Sequence, residues 1–222
     1  MNKITNKNPF LPAGILTALT ILLIILVKTV DVAPVGPEGT SVGFSQLNLA
    51  VAEQFGVSMT WYKITTVLGV FALALAGFFA LVGLIQLIQR KSLMKVDKEL
   101  LALGGLYAAT LVLYVLFEKV IINYRPIIMP DAEHPEASFP STHTMMVIVI
   151  MGSTLTLLDK YIQNEQLRGI LKIVCCVVIG LIVGGRLLSG VHWFTDILGG
   201  VLFGATLLSC YSAALKLLSK DQ

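Results

Sequence analysis

The sequence predicts an all-α integral membrane protein, a bundle of six transmembrane helices with both termini in the cytoplasm and a single domain over residues 1–222. The chain is 56% hydrophobic and only 13% charged, which is too apolar for an ordinary soluble domain. Its apolar runs are also long enough to cross a hydrocarbon core of about 30 Å. We place the spans at about residues 8–28, 62–89, 100–119, 140–158, 169–188 and 193–215.

The first span is an uncharged run from Asn8 to Val27, preceded by Lys3 and Lys7. Such a segment is similar to a secretory signal, but it is long for one and no small-residue cleavage site follows. We therefore interpret it as an uncleaved span. The loop after it contains a weakly amphipathic stretch, Gln46–Phe55, which fits either a helix lying on the membrane or a plain connector. We favour the connector.

The placement of lysine and arginine predicts how the bundle is oriented. On the side of the termini lie Lys3, Lys7, Arg90, Lys91, Lys95, Lys98, Lys160, Arg168, Lys172, Lys216 and Lys220. On the opposite side lie only Lys28, Lys63, Lys119, Arg125 and Arg186. Because basic loops stay in the cytoplasm, we expect a multi-pass protein of the cell membrane with cytoplasmic termini. A net charge of only +3 does not indicate nucleic acid as a partner.

The run from Gly185 to Asp196 places ionisable groups in an otherwise apolar region, where they are costly and by default indicate function. His192 and Asp196 are four residues apart, so on a helix they share a face. The carboxylate can then hold one imidazole nitrogen and leave the other free for chemistry. A break at Ser189-Gly190 would turn the Arg186 guanidinium back towards them.

Two further polar clusters lie at the same boundary, one from Lys119 to Pro126 and one from Phe139 to His143. Hydropathy thus brings six groups to one depth: Lys119, Arg125, His143, Arg186, His192 and Asp196. Three permanent cations in one place need an anion, and a phosphate or diphosphate fits the planar guanidinium groups best. A helix that starts at Pro140-Ser141 would add the backbone N–H groups of Ser141, Thr142 and His143.

With a phosphate in place, the two histidines can divide the work. His192, oriented by Asp196, can attack phosphorus and form a phosphohistidine. His143 can protonate the leaving oxygen and later activate water. The site supplies its own positive charge, so we expect no metal and no cofactor. A zinc site built from His143, His192 and Asp196 is conceivable by residue type, but three neighbouring cations disfavour it.

These clusters resemble the three-part signature of the type 2 phosphatidic acid phosphatase (PAP2) superfamily. That family includes bacterial undecaprenyl-diphosphate and phosphatidylglycerophosphate phosphatases, lipid phosphate phosphatases and vanadium haloperoxidases. Its third motif, Ser-Arg, five residues, His, three residues and Asp, appears here as Gly185-Arg186, His192 and Asp196 at the same spacing. Its second motif, Pro-Ser-Gly-His, appears as Pro140 to His143 with threonine in place of glycine.

The first motif of the family is a lysine, six residues and Arg-Pro. Here five residues separate Lys119 from Arg125-Pro126, and Glu118 occupies the register of the lysine. The resemblance implies that His192 is the nucleophile, that Asp196 is its partner and that His143 is the acid. It also implies that the phosphate binders are Lys119, Arg125, Ser141, Thr142 and Arg186.

The resemblance implies a membrane lipid phosphatase that acts on the outer face, with a lipid phosphate or diphosphate as substrate and membrane lipids around it. We favour undecaprenyl diphosphate, because lipid carriers of envelope polymers are released as diphosphates on that face. Phosphatidylglycerophosphate or phosphatidate is the alternative, and transfer of the phosphate to another lipid stays open. A non-catalytic transporter or binding protein for a phosphorylated lipid would use the same cations, but it would have no need of the pairing of His192 with Asp196.

Overall fold

Among residues 8–219, six helices are long and apolar enough to cross a membrane, in agreement with the predicted number of spans. The structure is a computed structural model and describes residues 8–219, so the predicted orientation signals Lys3, Lys7 and Lys220 lie outside the described residues. The helices are α1 (Leu11–Thr29), α2 (Ser45–Phe55), α3 (Met59–Arg90), α4 (Lys98–Lys119), α5 (Thr142–Tyr161), α6 (Glu165–Leu188) and α7 (Phe194–Leu218). Short 3₁₀ turns follow α1 and α3, and no strand longer than an isolated bridge occurs in this part of the chain.

The stretch Gln46–Phe55 is not the plain connector that we predicted, since it forms most of the short helix α2. A buried polar contact holds it in place. The Asn48 side chain accepts a hydrogen bond from the Thr195 backbone N–H (3.2 Å) and donates to the Gly43 carbonyl (2.8 Å) and the Thr195 hydroxyl (3.0 Å). Helix α2 therefore fixes the first turn of α7, through a contact that hydropathy does not register.

Helix α5 occupies the centre of the bundle and is the most buried of the six spans. It packs against α3, α4, α6 and α7, while α1 packs against the outer side of α7. Its buried residues include Thr144, Ser153 and Thr154. A helix surrounded by protein can carry such polar residues because they do not face lipid, and the hydroxyls of Ser153 and Thr154 donate to the Ile150 carbonyl at 3.1 and 2.7 Å. This explains why the α5 span is the least hydrophobic of the six.

Glycines allow α5 and α7 to approach closely. A Cβ on Gly200 would lie 2.6 Å from the Ser141 carbonyl oxygen, and one on Gly204 would lie 2.8 Å from the Ile148 side chain. Small residues at such crossings let two backbones touch. The close approach permits the Ser141 backbone N–H to donate to the Asp196 carbonyl at 2.9 Å, which ties the start of α5 to the start of α7.

We expect Gly200→Ala to lower the free energy of unfolding by about 1–3 kcal/mol, the usual cost of overpacking, because the new methyl group meets backbone that must move. It should also reduce activity, since the start of α5 shifts relative to Asp196. Thermal unfolding of the purified protein in detergent measures the first effect. Gly180→Ala is the matched control, because a Cβ there meets nothing within 4 Å. Equal unfolding midpoints for the two variants would contradict this packing argument.

Candidate active site

A polar site lies at one end of the bundle, where α4 and α6 end and α5 and α7 begin. The loop between α4 and α5 folds back on itself beside these ends. An isolated antiparallel bridge pairs Tyr124 with Ala137, and the Ser138 backbone N–H donates to the Asn123 carbonyl at 2.9 Å. This arrangement holds Arg125 next to the loop that follows α6, so the structure brings the three predicted polar clusters together.

The loop between α6 and α7 carries His192. Helix α6 ends at Leu188, and Gly190 adopts a left-handed backbone with φ of 66°. A side chain there would be strained, and its Cβ would also collide with the Gly56 carbonyl. The predicted break at Ser189-Gly190 is therefore present, and it places the imidazole of His192 in the interior, where the residue is only 6% exposed.

The two ring nitrogens of His192 face different partners. Nε2 lies 3.4 Å from NH1 of Arg125, and because a guanidinium only donates, Nε2 is the nitrogen that offers its lone pair. Nδ1 lies 3.7 Å from Oδ2 of Asp196, which is longer than a hydrogen bond, and it has no other partner within residues 8–219. The proton on Nδ1 therefore points towards the carboxylate, and a small movement of either side chain would form a hydrogen bond between them.

Asp196 is fully buried, and hydrogen bonds stabilise its charge. Its Oδ1 accepts from the Asn123 side-chain amide at 3.2 Å, and its Oδ2 accepts from the Trp193 backbone N–H at 3.0 Å. The Trp193 indole N–H donates in turn to the Tyr124 carbonyl at 2.8 Å. The sequence reasoning assigned no role to Asn123. The sequence could have indicated it, because Asn123 follows the end of a predicted span in a polar cluster, and a buried carboxylate needs hydrogen-bond donors.

Burial lowers the pKa of His192 below its ordinary value. The Asp196 carboxylate opposes this shift, whereas the positive charges of Arg125 and Arg186 lower the pKa further. An imidazole with a lowered pKa is neutral near pH 7 and keeps a free lone pair. This protonation state suits a nucleophile better than a general acid.

The Arg186 side chain is 1% exposed and is held from α3. Its NH2 donates to the Thr66 hydroxyl at 3.0 Å, and its guanidinium lies 4.8 Å from the centre of the Tyr62 ring. The buried Nε has no partner in the described part of the chain. Two contacts thus fix the guanidinium, and the buried Nε–H is among the donors that stay free. The sequence reasoning missed Thr66 and Tyr62, although their spacing of one helical turn could have suggested a shared partner.

At the start of α5, Ser141 takes the N-cap position, as predicted, but its hydroxyl makes no capping bond. Our expectation that the Ser141 backbone N–H faces the anion was wrong, because the Asp196 carbonyl accepts that N–H. The Ser141 hydroxyl is instead the free group, since it is buried and unpartnered within the described chain. The ring of His143 lies against α3, where a Cβ on Gly69 would be 3.1 Å from its Cδ2.

Two neighbouring cavities lie at this end of the bundle and share part of their lining. The larger, of about 510 Å³, has His143 in its wall, and the smaller has His192. Glu118, Arg125 and Thr142 line both cavities, so the two histidines approach the same three side chains from different sides. The larger cavity continues between α3, α4 and α5 into an apolar wall that includes Leu73, Ala76, Leu111, Met146 and Ile150.

The structure does not bring Lys119 to these cavities. Lys119 is exposed and lines neither of them, whereas Glu118 lines both. Helix α4 continues through Lys119, and one residue along a helix corresponds to a rotation of about 100°. The lysine is therefore turned away from the two cavities. The zinc alternative has no geometric support either, because no group of three or more metal-ligating side chains gathers among residues 8–219.

The fold and the site define a multi-pass membrane protein with a His-Asp-Arg cluster at one end of its helix bundle. The family model of the PAP2 superfamily matches residues 99–217, more than half of the chain, and the chain belongs to that superfamily. The fold is similar to a structure described as the first transmembrane PAP2 type phosphatidylglycerolphosphate phosphatase from Bacillus subtilis. The TM-score is 0.62 at 19% identity, over 95% of this chain and 98% of that chain. No curated protein matches the sequence.

The family match confirms the resemblance inferred from the three motifs. At 19% identity the structural likeness speaks for the fold, and it extends over nearly the whole of both chains. Family and fold together support a membrane lipid phosphatase in general.

Proposed function

We propose that the protein hydrolyses a phosphate ester or diphosphate of a membrane lipid through a phosphohistidine intermediate. The observation that carries this proposal is the arrangement of His192. Its lone-pair nitrogen Nε2 lies 3.4 Å from a guanidinium nitrogen of Arg125, while Nδ1 faces the buried Asp196. A neutral imidazole beside a fixed cation is what an attack on an anionic phosphoryl group requires.

The phosphoryl group is held by donors that are otherwise unused. These are the Nε of Arg186, the hydroxyl of Ser141 and the remaining guanidinium donors of Arg125. Nε2 of His192 forms a bond to phosphorus while the bond from phosphorus to the lipid oxygen breaks, and His143 gives that oxygen its proton. His143 then takes a proton from a water molecule, whose oxygen bonds to phosphorus while the bond from phosphorus to Nε2 of His192 breaks. Inorganic phosphate leaves and His192 is restored.

The larger cavity suits the lipid part of such a substrate. Its polar end contains His143 and Thr142, and its apolar wall lies among membrane-spanning helices. A headgroup phosphate at the histidines would therefore leave the adjoining hydrocarbon in an apolar channel between α3, α4 and α5. Because in-line displacement places the leaving oxygen opposite the nucleophile, that oxygen faces His143 and not His192.

Undecaprenyl diphosphate, the substrate favoured from the sequence, and phosphatidylglycerophosphate or phosphatidate, the alternatives, all carry a terminal phosphate that these donors can grip. We expect the purified protein to release inorganic phosphate from at least one of them, and we expect His192→Ala to release it at least about 10⁴-fold more slowly. Phosphate that appears on an added lipid alcohol instead would reveal transfer between lipids. Binding of every lipid without turnover by the wild-type protein would overturn the proposal in favour of a non-catalytic carrier.

We further propose that the site faces the extracytoplasmic side. The far end of the bundle carries most of the described basic residues, including Arg90, Lys91, Lys95, Lys98, Lys160 and Arg168. By the rule that basic loops stay inside, that end is cytoplasmic.

Cysteine labelling tests this orientation. In a background without Cys175, Cys176 and Cys210, we expect a membrane-impermeant maleimide to label Glu133→Cys, in the loop between α4 and α5, in intact cells. Met94→Cys, at an 89% exposed position between α3 and α4, should be labelled only after the membrane is permeabilised. Each variant is the control for the other, and the reverse pattern would show that the site faces the cytoplasm.

A further inference from the structure

Glu118 places a carboxylate at the proposed phosphate site. It lies in the last turn of α4, is exposed, and lines both of the cavities that meet at the histidines. It makes no ion pair within 4.0 Å of any basic group among residues 8–219. A full negative charge therefore faces the space where the substrate must lie.

The larger cavity carries no surplus of positive charge, because the described part of its lining contains one permanent cation beside this carboxylate. The described residues that line it include one permanent cation, Arg125, and one carboxylate, Glu118. Arg125 is itself paired through Nε with Oε2 of Glu136 at 3.0 Å. Arg186 is not part of this lining, because its guanidinium is tied to Thr66 of α3. The arginines can thus neutralise the phosphate that His192 attacks, but within residues 8–219 no further cation is left for a second phosphate in the larger cavity.

We propose that Glu118 determines substrate specificity by selecting against lipid diphosphates and in favour of lipid phosphate monoesters. This inference rests on the proposed function, and it reverses the order of substrates favoured from the sequence. The group between the attacked phosphorus and the hydrocarbon lies on the His143 side, in the larger cavity. In a monoester that group is an alcohol oxygen, which is neutral once His143 has protonated it. In a diphosphate it is a second phosphate, which keeps a negative charge.

The size of the effect follows from Coulomb's law. Two like unit charges about 8 Å apart, at an effective dielectric constant of about 20, repel strongly enough to change a binding or rate constant by about 30-fold. Repulsion between Glu118 and the attacked phosphate acts on both kinds of substrate and cancels in their ratio. The ratio of kcat/KM for the two substrates therefore isolates the contribution of the second phosphate.

Farnesyl phosphate and farnesyl diphosphate form a matched pair of probes, because their hydrocarbon is identical. We expect Glu118→Gln to raise the diphosphate-to-monophosphate ratio of kcat/KM by about 10- to 30-fold. The exchange variant, Glu118→Lys with Lys119→Glu, should raise it further, because it brings a cation to the cavity while the net charge of the protein is unchanged. Glu133→Gln, in the loop between α4 and α5, removes the same charge outside both cavities and should leave the ratio within about twofold of wild type.

The outcomes separate this inference from the proposed function. If wild type hydrolyses the probes but the ratio does not change in Glu118→Gln and in the exchange variant, the role of Glu118 is refuted and the phosphatase proposal stands. If the wild-type protein hydrolyses neither the farnesyl probes nor undecaprenyl diphosphate, phosphatidylglycerophosphate or phosphatidate, both proposals fall. Unfolding midpoints equal to wild type would show that an altered ratio reports on charge and not on folding.

Discussion

Replacement of His192 by alanine is expected to lower kcat for phosphate release by at least about 10⁴-fold, the range seen when a nucleophile is removed from a coupled catalytic group. The reason is that the atom held beside Arg125 is Nε2 of His192, 3.4 Å from the guanidinium NH1, and alanine has no lone pair to take its place. Release of inorganic phosphate from the preferred lipid measures the effect. Turnover at the wild-type rate would exclude His192 as nucleophile.

The folded state should survive this change, because Asp196 keeps its hydrogen bonds from Asn123 and from the Trp193 backbone when the imidazole is gone. An unchanged unfolding midpoint would establish this. His134→Ala is the control variant, since that imidazole is 80% exposed in the loop between α4 and α5 and is expected to be dispensable.

A trapping experiment separates the two histidines. With a substrate labelled in its terminal phosphate and a quench in alkali, where phosphohistidine survives, wild type should show transient label on the protein. His192→Ala should show none. His143→Ala should retain label for longer if the leaving group is good enough to depart unprotonated, because His143 is also the group that activates water. Label on wild type at a residue other than His192 would contradict the mechanism.

The second large effect is expected for Asp196→Asn, which should lower kcat by about 10²- to 10⁴-fold with a smaller change in KM, as for other carboxylates that orient a histidine. The two carboxylate oxygens accept from Asn123 and from the Trp193 backbone, and an amide can replace only one of these acceptors. Its NH₂ group would then face a donor. The amide also no longer favours the proton on Nδ1, so the lone pair on Nε2 is lost from part of the population.

Steady-state kinetics on the same lipid measure this effect. Asp131→Asn, an exposed carboxylate in the loop between α4 and α5, is the matched control and should behave like wild type. Equal kcat values for Asp196→Asn and Asp131→Asn would mean that Asp196 is only a structural cap of α7. The same conclusion would follow if Asp196→Asn only lowered the unfolding midpoint and had the wild-type kcat when assayed well below that midpoint.

The spans were predictable from the sequence because a bilayer imposes a length and a composition on every helix that crosses it. The ends of α3, α4 and α7 lie within a few residues of the predicted bounds. Helix α2 was not predicted, because its position depends on the hydrogen bonds between Asn48 and Thr195, which is far along the chain. A polar contact of this kind leaves no periodic signal.

The hydropathy pattern also predicted that six chemical groups lie at one membrane depth. In the structure Arg125, His143 and His192 line the two cavities, Asp196 and Arg186 lie near His192, and Lys119 lines neither cavity. The contacts that orient these groups could not be predicted from the sequence. Thr66 and Tyr62 contact Arg186 from α3, and Asn123 contacts Asp196 from the loop between α4 and α5. Partners that are distant in sequence become visible only when the helices and loops are packed.

The amino-acid sequence by itself determined the class of fold, the number of spans and the end of the bundle where His143, His192 and Asp196 meet. The reason is that each of these depends on local composition and on the order of the segments. Tertiary structure decided which charges face the substrate. The rotation of α4 puts Glu118 at the cavities and turns Lys119 away from them, and a rotation about a helix axis is fixed by packing against neighbouring helices.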